Sequence, residues 1–224
     1  MALHHKTRIP LDGLIMCLDA ANVKSYPGSG TVVYDISKNS YNHNLVNGAA
    51  LTTQDGVTCF DCTGNNFLRD AGSTFTFGPA HTMIAWARVL PDAAVSTWRT
   101  LWRDTNHPVI IQNTTNLIGF YDGAGGSQFN SFGLDAGVIG VEETWTMYTS
   151  VGNSGSTTLY INDGVDYSGS VSVSTEGEPH DTIGNYSTGS QPFGYVANAL
   201  VYDRALSLTD IQTIYHSYKG RFGV

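Results

Sequence analysis

The sequence predicts an all-β protein: two antiparallel sheets packed face to face as a sandwich, with one short C-terminal helix. Three observations carry this expectation. The 224 residues include 25 glycines but only 13% charged residues. Short strands and tight turns need glycine wherever the backbone turns to positive φ, whereas helices draw on Glu and Lys. Asn-Gly or Asp-Gly pairs begin at Asp12, Asn47, Asp55, Asp122 and Asp163, and this dipeptide favours hairpin turns. Between these pairs lie short β-prone runs, several of alternating polarity.

In chain order, Leu14-Ile-Met-Cys-Leu18 is apolar on both faces and predicts a strand inside the sandwich. Trp145 to Val151 alternates and predicts a strand with one face in the core and the other outside. Thr158 to Asn162 predicts a strand entering the Asp163-Gly164 turn, and Ser170 to Val173 alternates again. Phe193 to Tyr202 is long and apolar, with small residues at Gly194, Ala197 and Ala199, so it reads as a central strand under a closely packed layer. Ser207 with Asp210 three positions on predicts a helix start. Ile211, Ile214, Tyr215 and Tyr218 then share one face, Gly220 offers a stop, and the helix is expected to pack at the rim. No repeat or linker divides the chain, so residues 1–10 read as an N-terminal arm and 11–224 as one domain.

Composition narrows the function. Nineteen acidic against eleven basic residues give a net charge of −8, which offers no electrostatic footprint for a nucleic acid or an anionic membrane. The longest strongly apolar run, Leu14 to Leu18, is far short of the ~20 residues that span a bilayer. The N-terminus lacks the apolar segment of about 7–15 residues that a signal peptide requires, so folding in a cytoplasm is expected. Three cysteines are an odd number and do not suit a disulfide framework. Cys59-Phe-Asp-Cys62 has zinc-like spacing but no second ligand pair, and free thiols are the simpler reading. The glycine-rich stretch Tyr26-Pro-Gly-Ser-Gly30 is followed by Thr-Val-Val-Tyr rather than Lys-Ser/Thr. It therefore reads as turns, with Asp35 and Asn39 bonding their own backbone, and not as a phosphate loop.

Several longer stretches carry a resemblance. Asp12-Gly-Leu-Ile-Met-Cys-Leu-Asp19-Ala-Ala-Asn22, Lys24 to Gly30 and Tyr34-Asp-Ile-Ser-Lys-Asn39 resemble the start of laminin-G-like, concanavalin A-like jelly-roll domains of tailed-bacteriophage virion proteins. Leu159-Tyr-Ile-Asn-Asp-Gly164, Ile183-Gly-Asn185, Ala199 to Ser207 and the segment through Lys219-Gly-Arg-Phe222 resemble the same group's internal hairpin, last strands and closing helix. The resemblance is tight at the two ends and weak between about residues 50 and 140. It implies a jelly roll with variable rim loops and a non-enzymatic structural or adhesion role on a phage particle, as decoration, fibre or knob. Assembly in the host cytoplasm, docking on other virion proteins, self-association and contact with host glycans follow from the same reading. A dedicated lectin is the alternative, and a glycan hydrolase the third reading.

That implied fold sets what a site would need. Related glucanases use Glu-x-Asp-x-x-Glu on one strand, with the carboxylates roughly 5–5.5 Å apart in retaining enzymes. Here the glutamates are Glu142, Glu143, Glu176 and Glu178, none in that pattern, and no catalytic residue is assigned. Glu142 and Glu143 would point to opposite faces of a strand, and the scattered histidines read as surface or interface residues. The resemblance also implies calcium at the rim, with Asp19, Asn22, Asp35 and Asp203 as candidate ligands, although turns favour Asx residues for backbone reasons alone. For a glycan, the loop-like Tyr41, Asn44, Tyr121, Asp122 and Tyr186 are the candidates, since aromatic rings stack on sugars and Asx side chains bond hydroxyls. Trp86 and Trp145 read as core. Trp98 and Trp102 read as a candidate interface cluster.

Overall fold

The computed structural model describes residues 8–224. It contains two eight-stranded antiparallel sheets and one helix, with strands numbered here in chain order. The first sheet holds β1 (Leu14–Asp19), β4 (Leu51–Gln54), β5 (Val57–Cys62), β7 (Ala80–Val89), β12 (Trp145–Asn153), β13 (Ser156–Ile161), β14 (Tyr167–Val171) and β16 (Gly194–Tyr202). The second holds β2 (Val32–Val33), β3 (His43–Val46), β6 (Phe67–Asp70), β8 (Arg99–Arg103), β9 (His107–Ile111), β10 (Leu117–Asp122), β11 (Gln128–Asp135) and β15 (Thr182–Ile183). Their spatial orders are β14-β13-β12-β7-β16-β5-β4 and β11-β10-β9-β8-β15-β6-β3-β2. The expected two-sheet sandwich is the observed architecture.

β16 is the central strand the sequence predicts. One of its edges pairs with β7. The other is shared, with Gly194 to Val196 pairing β5 and Asn198 to Tyr202 pairing β1. At the junction, Ala20 donates its N–H to the Ala197 carbonyl at 2.9 Å.

The inter-sheet core sets small residues against large ones. Ala85, Ala87 and Ala199 of the first sheet share it with Trp102, Phe120 and Leu101 of the second, and Tyr148 and Phe193 fill the gap edge to face at 5.4 Å. This size alternation lets two twisted sheets interdigitate without voids.

The helix α1 (Leu208–Phe222) begins with the predicted capping box: Ser207 accepts from the Asp210 N–H, and Asp210 accepts from the Ser207 N–H. Two expectations need correction. The helix runs through Gly220 and stops at Gly223, whose φ of 72° is left-handed, a conformation glycine adopts without strain. It also lies across the outer face of the first sheet, where Ile211, Ile214 and Phe222 join Trp86, Met147, Ile84 and Leu200 in a second apolar cluster. For that reason β12, read as half-exposed, is buried from Trp145 to Gly152. Its Trp145, Met147 and Val151 face the helix, and Tyr148 faces the inter-sheet core.

The turn dipeptides divide in the same way. Asp55-Gly56 closes the β4–β5 hairpin, but Asn47-Gly48 joins β3 to β4 across the two sheets. At the start of the described chain, Ile9 packs on the helix-side cluster and the Tyr202 hydroxyl donates to the Pro10 carbonyl at 3.0 Å. Residues 1–7 of the expected arm, including His4 and His5, lie outside the described residues.

Candidate functional site

The outer face of the second sheet carries the candidate site. Within β9, Val109 and Ile111 point into the inter-sheet core, and strict alternation would send His107 with them. The β9–β10 register instead shifts between the Ile110–Gly119 and His107–Tyr121 pairs. Such a bulge re-aims a side chain, and it turns His107 to the same face as Ile110 and Tyr121. The neighbouring β8–β9 ladder shifts between Thr100 and Trp102. As a result Leu101 and Trp102 both enter the core and Thr100 stays on the outer face, beside His107.

Trp98, His107, Ile110, Tyr121, Tyr186 and Gln191 line a pocket of about 280 Å³ on that face. Its rings form a corner. His107 stacks on Tyr186 at 5.4 Å and 6°, while Tyr121 stands at 88° to His107 and 82° to Trp98. Phe129 backs Trp98 edge to face at 5.3 Å. This placement requires Gly119, because a Cβ there would strike the Phe129 ring.

The loop bearing Tyr186 and Gln191 is held by Asn185, which is fully buried. Its side-chain oxygen accepts from the N–H groups of Tyr186 and Gln191, each at 2.8 Å. Its amide nitrogen donates to the carbonyls of Gly64 and Asn66. Arg69 adds a bond to the Ser187 carbonyl at 2.8 Å.

A hydrogen-bond chain sets the pocket's polarity. The Thr100 hydroxyl donates to Gln191 Oε1 at 2.6 Å. Having one proton, it can meet His107 Nδ1, 3.2 Å away, only as an acceptor. His107 is therefore the Nδ1–H tautomer, with Nε2 left as an acceptor. Burial, reinforced by the Arg103 charge, lowers the His107 pKa to about 4 and keeps the ring neutral. Arg103 itself lies 4.6 Å over the Tyr186 ring and pairs with Asp181.

Of the five residues expected to touch a ligand, Tyr121 and Tyr186 meet in this pocket. The other three do not join them. Tyr41 packs edge to face on Phe75 at 4.9 Å, its bulk taken up by the core. Asn44 sits mid-strand in β3, opposite Val32 and Arg69. The Asp122 carboxylate accepts the Gly125 N–H at 2.6 Å and so shapes its own turn. Trp98, His107 and Gln191 were missed as site residues. For Trp98 a signal existed in its aromatic character beside a strand, but the bulge and the 185–191 loop are long-range features.

The other expectations resolve physically. Trp102 belongs to the core and not to an interface. His43, His81, His107 and His180 are buried, not surface residues, and His216 is exposed. Two of the three carboxylates considered for calcium are engaged by N–H donors. Asp35 accepts from the N–H groups of Cys17, Ser37 and Tyr41, and Asp19 pairs with Arg221 at 2.7 Å. Asn22 accepts from the Lys24 N–H, and Asp203 flanks Gly13 and Arg204. Among the described residues no group of three or more His, Cys, Asp or Glu is placed to hold a metal. Glu142 does not lie beside Glu143 in a regular strand. It caps the fully buried Arg99 at 2.7 Å, together with Asp92, Asn116 and the Leu90 carbonyl. Cys59 and Cys62, three apart on β5, face opposite sides of the sheet, toward the helix and the inter-sheet core respectively. Both are free thiols, and burial raises their pKa values, that of Cys59 to about 12.

No protein-family model matches this sequence, nor does any curated protein. Solved structures do match in fold. Trypanosoma rangeli sialidase superposes with a TM-score of 0.61 at 14% identity, over 95% of this chain and 34% of its own. The ligand-binding domain of botulinum neurotoxin serotype D, solved in complex with N-acetylneuraminic acid, gives 0.60 at 16% identity, over 92% of this chain and 51% of its own. The binding domain of Paraclostridial Mosquitocidal Protein 1 gives 0.59 at 16% identity, over 93% and 53%. The shared fold is a two-sheet antiparallel β-sandwich. This sandwich spans about a third to a half of the chains it matches, and at such identities the likeness is one of architecture.

Proposed function

We propose that this chain binds carbohydrate without cleaving it, and that the corner formed by Trp98, Tyr121, His107 and Tyr186 is the binding site. The observation that carries the proposal is an aromatic pocket whose polar atoms are unspent. Trp98 Nε1, the Tyr121 and Tyr186 hydroxyls and Gln191 Nε2 have no protein partner among the described residues, and the pocket lies on a sheet face that no helix covers. Apolar ring faces beside free donors and acceptors suit a sugar, which presents C–H patches and hydroxyls together. The sandwich architecture shared with a domain solved in complex with N-acetylneuraminic acid supports the same reading. Against hydrolysis stands the use of Glu142 to hold Arg99. A glycan array probed with the purified chain is the test: saturable binding that Trp98→Ala weakens supports the proposal, and a silent array overturns it.

The proposed setting is the surface of a phage particle, where such a domain would dock on other virion proteins and meet host glycans. Its support is the resemblance of the two ends of the sequence. Mass spectrometry of purified particles should find the polypeptide; its consistent absence would remove this setting while leaving glycan binding intact.

A further inference from the structure

Building on the glycan-binding reading, we infer that the pocket takes a single uncharged sugar ring, selected through a pair of adjacent hydroxyls, and discriminates against sialylated and other acidic glycans.

Pocket shape gives the first part of the argument. Its volume of about 280 Å³ lies at or below the low end of the ~300–1,000 Å³ typical of small-molecule sites. The Tyr121 ring stands at right angles to both His107 and Trp98, so the walls enclose a ring inserted into a corner. An extended oligosaccharide would need a flat platform along the sheet.

Polarity gives the second. The Thr100 hydroxyl takes the Nδ1–H of His107 and gives its own proton to Gln191 Oε1. One short chain thereby fixes two groups at once, His107 Nε2 as an acceptor and Gln191 Nε2 as a donor. Neighbouring hydroxyls on a sugar satisfy such a pair, one donating to the imidazole and the other accepting from the amide. A carboxylate offers only acceptors, and it would meet the imidazole lone pair unfavourably.

Charge gives the third. None of the residues lining the pocket carries a formal charge at neutral pH, since burial and the Arg103 charge keep His107 neutral. The nearby cation, Arg103, is bound by Asp181. Arg69, which could approach the same loop, also contacts Asp181 at 3.5 Å and donates to the Ser187 carbonyl. With a net charge of −8 on the chain, an anionic ligand gains no long-range attraction.

The experiment pairs an array of sialylated glycans and their desialylated counterparts with titration calorimetry on the methyl glycosides of glucose, galactose and mannose and on N-acetylneuraminic acid. Expected is no binding of N-acetylneuraminic acid, and saturable binding of at least one neutral glycoside, improved on the array by desialylation. His107→Phe, which keeps an aromatic ring but removes the acceptor, should weaken it at least about tenfold. Gln191→Glu should weaken it as well, with circular dichroism confirming that both variants fold. Binding confined to sialylated or other acidic glycans would overturn this inference and leave the glycan-binding reading standing. Neutral binding insensitive to both substitutions would overturn the hydroxyl-pair assignment. Silence toward every glycan would remove the reading on which it rests.

Discussion

The two outer faces of the sandwich receive similar side chains and end in opposite states. On the first sheet, Trp86 and Trp145 are covered by the C-terminal helix, with Phe222 stacked on Trp86 at 4.1 Å and 6° and Tyr215 stacked at 5.7 Å. On the second sheet, Trp98, Tyr121 and Tyr186 stay partly exposed around a pocket. An aromatic cluster on a sheet face becomes a core when a helix closes over it and stays an open pocket when nothing does. The polar atoms follow suit: on the open face the free donors line a cavity, whereas under the helix the Trp86 Nε1 is a buried donor without a partner among the described residues.

The comparison can be broken most severely at Phe222. Phe222→Ala should destabilise the fold by about 3–5 kcal/mol, the usual cost of deleting a buried ring, seen as a lowered Tm. Glycan binding below the new Tm should be unchanged, because the opposite face is untouched. Loss of binding at temperatures where the variant remains folded would show the two faces to be coupled.

Acid should separate the two sheets. His43 and His180 are buried with their Nε2 atoms 2.8 Å apart, so one ring donates and the other accepts, and both are neutral. Burial lowers the His43 pKa from 6.5 to about 4 and takes His180 well below its ordinary value. In the unfolded chain each imidazole titrates near 6.5, so between about pH 6.5 and pH 4 the unfolded state binds more protons and stability falls as pH falls. For His43 alone the shift is worth on the order of 3 kcal/mol. Asp104 acts in the opposite direction: burial raises its pKa to about 7, so the folded state gains protons, and stability, as pH drops from about 7 toward 4. His43 lies in β3, His107 in β9 and His180 beside β15, against His81 alone in β7, whose pKa burial also lowers. Hydrogen exchange at pH 5 should therefore show β3, β6 and β15 losing protection before β7 and β12. Simultaneous loss across both sheets would show that they open as one unit.

Smaller changes sharpen the comparison on the open face. Asn185→Ala removes four hydrogen bonds at a fully buried position. It should cost about 2 kcal/mol and, by releasing Tyr186 and Gln191, lower glycan affinity more than its effect on Tm suggests. Trp98→Ala should leave stability within about 0.5 kcal/mol of the parent and weaken binding on the order of tenfold. If instead Trp98→Ala unfolds the chain, its ring belongs to the core and the open-face reading fails.

The helix was legible because a capping box and a 3.6-residue apolar stripe are local: Ser207, Asp210, Ile211 and Ile214 state it within eight positions. The β4–β5 hairpin was legible in Asp55-Gly56 for the same reason. Asn47-Gly48 is the same kind of turn pair, yet it joins strands of different sheets, because a turn dipeptide sets the local backbone and not the partner of the strand that follows. Two of the five expected ligand residues, Tyr121 and Tyr186, meet in the pocket, since both are aromatics beside turns that stay partly exposed. Tyr41 carries the same signal and is packed against Phe75.

Residue order alone determined the two-sheet class, the central strand at Gly194–Tyr202 and the closing helix, because alternation, turn chemistry and caps act over a few neighbours. Tertiary structure decided which aromatic cluster was covered and which was left open. It also decided, through a one-residue slip between β9 and β10, that His107 faces the pocket and not the core. Both outcomes depend on groups far apart in the chain, a helix near residue 215 closing over Trp86 and a loop at 185–191 brought to β8 and β9, so no local pattern could contain them.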